Sequence, residues 1–345
     1  MADSTNIRLD RIMDEVYKDF YGTYPPNSPT FGGSSHESSD DTGTGPAGAI
    51  ENDTPKTQAA TSGPGPAKKE PEGEEKKKEP EKSGMEELNE LIGLEVVKAD
   101  VKELINLVKV QKMREDKGMK TVPVSLHLVF SGNPGTGKTT VARILSKLYK
   151  EIGVLSKGQL VEVDRSGLVA GYVGQTAIKT QKKIEEAKGG ILFIDEAYTL
   201  AKEGNDFGQE AIDTILKAME DNRKDLVVIV AGYTNLMENF INSNPGLKSR
   251  FNKYIEFKDY SAEELIEIFD MQCRKYNYTM SPEARETVEK VIRDREASKG
   301  ANFANARDVR NLFETIITNQ ASRVAQMESP SEEDLITIEP ADIQQ

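Results

Sequence analysis

Residues Gly132-Asn133-Pro134-Gly135-Thr136-Gly137-Lys138-Thr139-Thr140 spell a G-x-x-x-x-G-K-[ST] turn, and they closely follow the apolar run Leu126-His127-Leu128-Val129-Phe130. A buried strand feeding such a turn makes a phosphate cradle, because glycines let successive backbone N–H groups converge on phosphate oxygens with no Cβ in the way. Lys138 has the reach and charge for the β- and γ-phosphates of a nucleoside triphosphate, and the Thr139 hydroxyl is an oxygen ligand for Mg²⁺. A second apolar run, Ile191-Leu192-Phe193-Ile194, ends in the pair Asp195-Glu196. Carboxylates at the carboxyl end of a strand lie where open α/β sheets bind ligands. Asp195 suits the Mg²⁺ shell, and Glu196 suits polarising a water for attack on the γ-phosphate.

These motifs are accompanied, in order, by Leu91-Ile92-Gly93-Leu94, Gly171-Tyr172-Val173-Gly174, Asn244-Pro245-Gly246-Leu247-Lys248-Ser249-Arg250 and Asn305-Ala306-Arg307. As a set they resemble the AAA+ ATPases, and more closely the group containing stage V sporulation protein K and red-type rubisco activase. The resemblance covers roughly residues 85–328 and leaves 1–84 unaddressed. It implies ATP and Mg²⁺ as ligands and a homo-oligomeric ring, expected to be a hexamer. It assigns Ile92 and Gly93 to the neighbourhood of the adenine and Asn235 to holding the attacking water. Arg250 matches the arginine finger that reaches a neighbouring subunit's γ-phosphate, and Arg307 matches the lid arginine that senses it, with Arg310 one turn on as competitor. Many members carry two arginines at the finger, whereas this chain offers Lys248 and Arg250. Tyr172 and Val173 match the aromatic–hydrophobic pair of the loop facing the central pore, where an aromatic ring can grip extended polypeptide without reading its sequence.

The elements that must position these residues follow from periodicity. Apolar strands are expected near 126–130, 159–163, 190–194, 226–231 and 253–257, with helices between most of them. This is an α/β fold: a parallel sheet sandwiched by helices. Helical spacing covers about 85–91 and 94–115. After residue 260 the pattern turns helical. Ser261-Ala262-Glu263-Glu264 is a capping box and Ser281-Pro282 an N-cap with a proline at the first helical position. A third helix is expected over about 304–326 and a short strand at Leu335–Ile338. The expected domains are a nucleotide-binding α/β domain over 85–259 and a small helical lid over 260–345. Residues 1–84 read as a disordered tail: from Pro25 to Ser83 almost no large apolar residue offsets the entropy of ordering. About sixty such residues span roughly 45 Å. Near its start, Ile7, Leu9, Ile12, Met13, Val16, Tyr17 and Phe20 fall close to helical spacing, allowing an amphipathic helix over 6–20 for a partner in cis or in trans.

Composition narrows the function further. The net charge of −13 argues against sustained nucleic-acid binding. No stretch of about twenty apolar residues offers a membrane span, and Met1–Asp19 lacks the apolar core of a secretory signal. One cysteine, Cys273, excludes an internal disulfide framework and suits a reducing, cytoplasmic setting. The two histidines, His36 and His127, form no metal-ligand cluster. The expected function is an ATP-hydrolysing ring motor that remodels a partner protein, of unknown identity, through its aromatic pore loop. Three readings stay open beside it: a rubisco-activase-type repair ATPase, a DNA-processing loader, and a nucleotide-controlled assembly scaffold.

Overall fold

The computed structural model describes residues 82–122, 124–172, 174–201, 207–300 and 303–343. Residues 1–81 of the expected tail, with its helix over 6–20, and Val173 lie outside the described residues; Ser83 and Gly84, expected as the tail's end, instead open the first helix. Ser83 caps α1 (Gly84–Glu90) with a reciprocal box: its hydroxyl accepts from the Glu86 N–H, and the Glu86 carboxylate accepts from the Ser83 N–H at 2.8 Å. Leu88, fully buried, sits on that helix. The Gly84 N–H donates to Glu151 at 2.8 Å, tying α1 to the helix after the phosphate loop.

The core follows as α2 (Glu95–Asp116), β1 (Leu128–Gly132), α3 (Lys138–Glu151), β2 (Leu160–Val163), α4 (Arg165–Leu168), α5 (Gln175–Ala187), β3 (Ile191–Ile194), α6 (Gly208–Asp221), β4 (Val227–Gly232), α7 (Thr234–Asn242), α8 (Pro245–Arg250) and β5 (Lys253–Phe257). All five strands run parallel in the order β2-β3-β4-β1-β5. The parallel, helix-covered sheet is therefore as expected, and β1 runs two residues beyond the expected end, to Gly132.

The central strands β1, β3 and β4 are buried at every position, as apolar strands covered on both faces must be. Alternation sorts their side chains. Leu128, Phe130, Ile191, Phe193, Val227 and Ile229 pack under α1, α2 and α3. Val129, Leu192, Ile194, Val228 and Val230 pack under α5, α6 and α7. Each large side chain buried this way contributes about 1.5–3 kcal/mol.

The lid has its own core. It comprises α9 (Ala262–Lys275), β6 (Thr279–Met280), α10 (Pro282–Ala297), α11 (Ala306–Val324), α12 (Glu332–Ile336) and β7 (Thr337–Ile338). The capping box at Ser261 and the Ser281 cap with its proline are present. Of the strand expected at 335–338, only Thr337–Ile338 is extended; it pairs in parallel with β6, while Leu335 and Ile336 close α12, whose own capping box at Ser331 carries the helix that far. Phe313 centres the lid, with the rings of Phe269, Tyr276 and Tyr278 at 5.7, 5.9 and 6.0 Å. Cys273 is buried among them, its thiol pushed up to about 12 by burial first, so it is a core residue rather than a nucleophile.

His127, just before β1, is also structural. Its Nδ1 accepts from the Val228 N–H at 3.0 Å and its ring meets Phe251 edge-on. Burial pushes the imidazole down to about 4, opposed by a backbone hydrogen bond with Met219 and aided by the Arg250 charge. The unfolded chain, with an ordinary imidazole near 6.5, takes up the proton first. The stability held above pH 6.5 is therefore lost as pH falls toward 4, by on the order of 3 kcal/mol. Urea unfolding at pH 7 and 4.5 should show this loss in the parent and a smaller one in His127→Gln; equal losses would remove His127 as the acid-sensitive group.

Candidate functional site

The carboxyl edge of the sheet gathers most of the chemistry-bearing residues. Ser131, one residue before the end of β1, pairs with Gly232 at the end of β4, and Ile194 at the end of β3 pairs with Val230. The phosphate loop, Asp195-Glu196 and the start of α7 therefore emerge side by side. β4 separates β1 from β3, so the Lys138 turn and the acids stand two strand spacings apart, roughly 9.5 Å. That gap admits phosphate oxygens, a metal ion and a water between them.

The loop's backbone is left-handed at Gly135 and Gly137, with φ of +71° and +92°. A Cβ on Gly135 would collide with the Ala304 carbonyl oxygen, and one on Gly132 with that of Phe257. Thr136 is fully buried, and its hydroxyl donates to the Asn133 carbonyl at 2.8 Å, closing the turn. The Asn133 amide donates to both oxygens of Asp259, at 2.9 and 3.1 Å. Pro134 accepts from Asn305 through its carbonyl. Thr139 and Thr140 open α3 after the Gly137 cap, Thr140 exposed and Thr139 half-buried.

Lys138 is folded onto its own loop, donating to the carbonyls of Gly132 and Asn133 at 2.9 and 2.7 Å. Burial lowers its ammonium to about 8, with Arg307 acting in the same direction and Asp195 and Asp259 opposing. These charges share one cleft. The cradle fits a triphosphate: a half-desolvated cation held by two carbonyl dipoles and, at 3.4 Å, the Thr136 hydroxyl gains by meeting anionic oxygen. Thr139 and Asp195 each carry a hard oxygen donor of the kind Mg²⁺ takes beside phosphates and water. Among the described residues no group of three or more His, Cys, Asp or Glu side chains could hold a metal by itself.

The Asp195 N–H donates to the Val163 carbonyl at 2.8 Å, prolonging the β2–β3 pairing. Glu196 then takes a left-handed φ of +46°, with its N–H donating to Asp195 Oδ1 at 3.0 Å. A non-glycine residue held there costs about 1–3 kcal/mol and marks a turn whose aim matters. Burial, then the charge of Asp195, raises the Glu162 carboxyl on β2, opposed by Arg143. Asn235 is exposed in the first turn of α7. Between it and β4 lies Tyr233, whose ring faces Tyr198 at 6.2 Å. Burial raises the Tyr198 hydroxyl, followed by the charge of Glu196. This tyrosine pair beside the acids was not among the expected site residues; aromatic residues just after strands carry no signal of their own.

Ile92 and Gly93 lie in a turn between core and lid. Ile92 and Leu94 pack on the lid's apolar cluster, and Gly93, at φ +60°, abuts the Glu264 side chain of the lid's first cap. Arg307 is exposed in the first turn of α11, close enough to Lys138 for their charges to interact. Arg310 lies one turn on with a buried Nε. Tyr172 is 74% exposed in the loop before α5.

Arg250 is elsewhere. It ends α8 just before β5, whose first residue pairs with the first residue of β1, and its carbonyl accepts from Ser125 at 2.8 Å. Its guanidinium approaches Glu220 at 3.9 Å. Arg250 thus occupies the amino edge of the sheet, a strand length or roughly 15 Å from the phosphate loop of the same chain.

Family models match in two adjoining pieces: the ATPase family associated with various cellular activities (AAA) over residues 128–259, and the AAA lid domain over 261–345. Stage V sporulation protein K of Bacillus subtilis (strain 168) is 43% identical over 259 residues, covering 74% of this chain and 80% of that protein. Protein CbbX of Cereibacter sphaeroides is 47% identical over 246 residues, covering 70% and 79%. The chloroplastic ribulose bisphosphate carboxylase/oxygenase activase of Cyanidioschyzon merolae (strain NIES-3377 / 10D) is 42% identical over 260 residues, covering 74% and 87%. Among solved structures, the AAA domain of FIGL-1 in complex with ADP shares the fold at a TM-score of 0.53 and 17% identity, covering 74% of this chain and 80% of that one. The chain belongs to the AAA ATPase family, in the group that holds stage V sporulation protein K, CbbX and rubisco activase of this type. ATP binding and hydrolysis follow as its activity. No helix among the described residues is long and apolar enough to cross a membrane.

The half-desolvated Lys138 yields a pH dependence. An ammonium at about 8 in the free protein must be fully charged once phosphate binds, so ATP affinity should be flat below pH 8 and fall above it. Calorimetric titration of ATP at pH 8.5 in buffers of differing ionisation enthalpy should report proton uptake on binding. A buffer-independent enthalpy at that pH would contradict it.

Proposed function

We propose that the protein is a Mg²⁺-dependent ATPase ring, with six subunits, that remodels a partner protein through the loop carrying Tyr172. The observation that carries this reading is the position of Arg250. A cation matching the family's finger stands at the sheet edge away from its own phosphate loop, so a complete site requires two chains. One protomer contributes the cradle, the acids and Asn235; its neighbour contributes Arg250.

In this reading Ile92 and Gly93 border the adenine, while Asn133 to Thr140 surround the phosphates. Thr139 and Asp195 would hold Mg²⁺, which supplies Lewis-acid stabilisation of the charge on the phosphoryl oxygens. Lys138 leaves the carbonyls of Gly132 and Asn133 for the β- and γ-phosphates. Glu196 accepts a proton as water attacks the γ-phosphorus, the bond to the β–γ bridging oxygen breaks, and ADP and phosphate leave. Asn235 orients that water. Arg250 from the neighbour and Arg307 from the lid meet the charge on the transferring group, a contribution that in triphosphatases with an arginine finger reaches roughly 10³–10⁵ in rate.

Coupling to a partner rests on the exposed Tyr172. A large aromatic surrounded by water gains by covering a polypeptide side chain, and it selects for no sequence. A relative named as an activase of another enzyme supports a protein as the object acted upon. The acidic balance of the chain supports the same choice over nucleic acid.

Arg250→Ala should bind ATP with near-parental affinity yet lose at least roughly 10³ of its turnover. Mixing it with Lys138→Ala, itself inactive, should restore activity in mixed rings, since some interfaces then combine an intact cradle with an intact finger. Assembled mixtures that stay inactive would refute a shared site. Tyr172→Ala should keep its ATPase rate while losing remodelling, read as unfolding of a fluorescent protein substrate. Unchanged remodelling would move the engagement surface elsewhere.

A further inference from the structure

Between the sheet and the lid the chain passes through Asp259 and Tyr260, and this hinge is tied to both the phosphate loop and the start of α11 by one side chain. Asn305 is 0% exposed and its amide is fully used. Its Oδ1 accepts from the Tyr260 N–H at 2.9 Å, and its Nδ2 donates to Asp259 Oδ1 at 2.8 Å and to the Pro134 carbonyl at 3.3 Å. Asp259 in turn receives the Asn133 amide on both oxygens. Lid, hinge and phosphate loop therefore meet in a single polar knot, Asn133–Asp259–Asn305, in which Asn305 is fully buried and the other two are half-buried. Such a knot favours one arrangement, because moving Asp259 or the phosphate loop away leaves the buried Asn305 amide with an unmet donor or acceptor.

The backbone of Asn305 is as telling as its side chain. Its φ of +52° and ψ of −126° lie in a region that glycine reaches freely and other residues reach under strain. A glycine would hold this turn at less cost, so the amide is what the position uses. Immediately after it the Ala306 N–H donates to the Gly135 carbonyl at 3.2 Å, and Arg307 follows in the first turn of α11. Gly135 has no room for a Cβ because the Ala304 carbonyl and the Arg307 N–H lie against it. The place of Arg307 over the cradle is thus set two residues upstream.

We propose that Asn305 and Asp259 are positioning residues for ATP hydrolysis: they fix the start of the lid helix on the phosphate loop and so aim Arg307 at the transferring phosphate. Asn133 carries the reverse message, since any shift of the loop on nucleotide exchange reaches the lid through the same carboxylate. The proposal rests on the reading of Arg307 given above.

The test uses the full-length protein, with kcat and KM for ATP measured on assembled material and thermal unfolding recorded without nucleotide. Asn305→Gly keeps the backbone conformation and removes the amide. Its kcat should fall roughly tenfold to a hundredfold, the scale of an ångström-level misplacement. Its preference for ATP over ADP should weaken by the same factor as in Arg307→Ala. Combining Asn305→Gly with Arg307→Ala should be no slower than Arg307→Ala alone, because the two changes remove one interaction. Asp259→Asn, which keeps the shape but turns an amide donor toward two others, is the companion variant should the glycine variant unfold, and it should show the same non-additivity. Parental kcat in Asn305→Gly or Asp259→Asn while Arg307→Ala is slow, or losses that multiply in the double variant, would overturn the positioning role alone. Parental turnover in Arg307→Ala would overturn the sensor reading and this proposal with it.

Discussion

The phosphate loop of this protein packs against two backbone segments from far along the chain at points where no side chain fits. The Phe257 carbonyl occupies the space beside Gly132, and the Ala304 carbonyl and Arg307 N–H occupy the space beside Gly135. The first contact comes from the last strand of the sheet, the second from the lid. Glycine at these positions therefore serves two demands at once: it permits left-handed backbone around a phosphate, and it lets core and lid close on the loop's outer side. The nucleotide site is accordingly the joint between the two parts of the fold, and a change in the loop's content is felt by both.

Sheet polarity imposes the complementary constraint. In a parallel sheet every strand ends at the same edge, so the phosphate loop, the paired acids and the α7 turn gather there without long-range design. The same polarity sends residues that precede strands to the opposite edge, and Arg250 precedes β5. One chain cannot bring that guanidinium to its own cradle without dismantling the sheet. Dependence of the proposed activity on assembly is thus a consequence of topology rather than of a regulatory addition.

The buried titratable groups divide by surroundings. His127 and Cys273 are enclosed by apolar packing, which drives each toward its neutral form and leaves it a structural role. Lys138 is also shifted by burial, but it faces carbonyl dipoles and shares its cleft with Asp195, Asp259 and Arg307. That arrangement holds a cation ready for an anionic partner. The lid core around Phe313 is built from apolar and aromatic side chains, apart from these charges.

The sequence by itself determined the elements and the local motifs. Strand periodicity, the capping boxes at Ser261 and the proline cap at Ser281, the glycine-rich turn and the Asp195-Glu196 pair each depend on residues within a few positions of one another, and local physics decides them. The break in composition near residue 84 coincides with the Ser83 cap for the same reason. Tertiary structure alone decided what depends on non-local pairing. The order β2-β3-β4-β1-β5 inserts β4 between cradle and acids, and strand composition carries no instruction for that order. The separation of Arg250 from Lys138, the tyrosine pair beside Glu196 and the Asn133–Asp259–Asn305 knot join residues tens to more than a hundred positions apart in the chain. Polar side chains such as Asp259 and Asn305 look the same in sequence whether solvated or buried. Only the packing of the lid on the phosphate loop removes water from Asn305 and leaves Asp259 half-buried beside it, which gives their hydrogen bonds consequence.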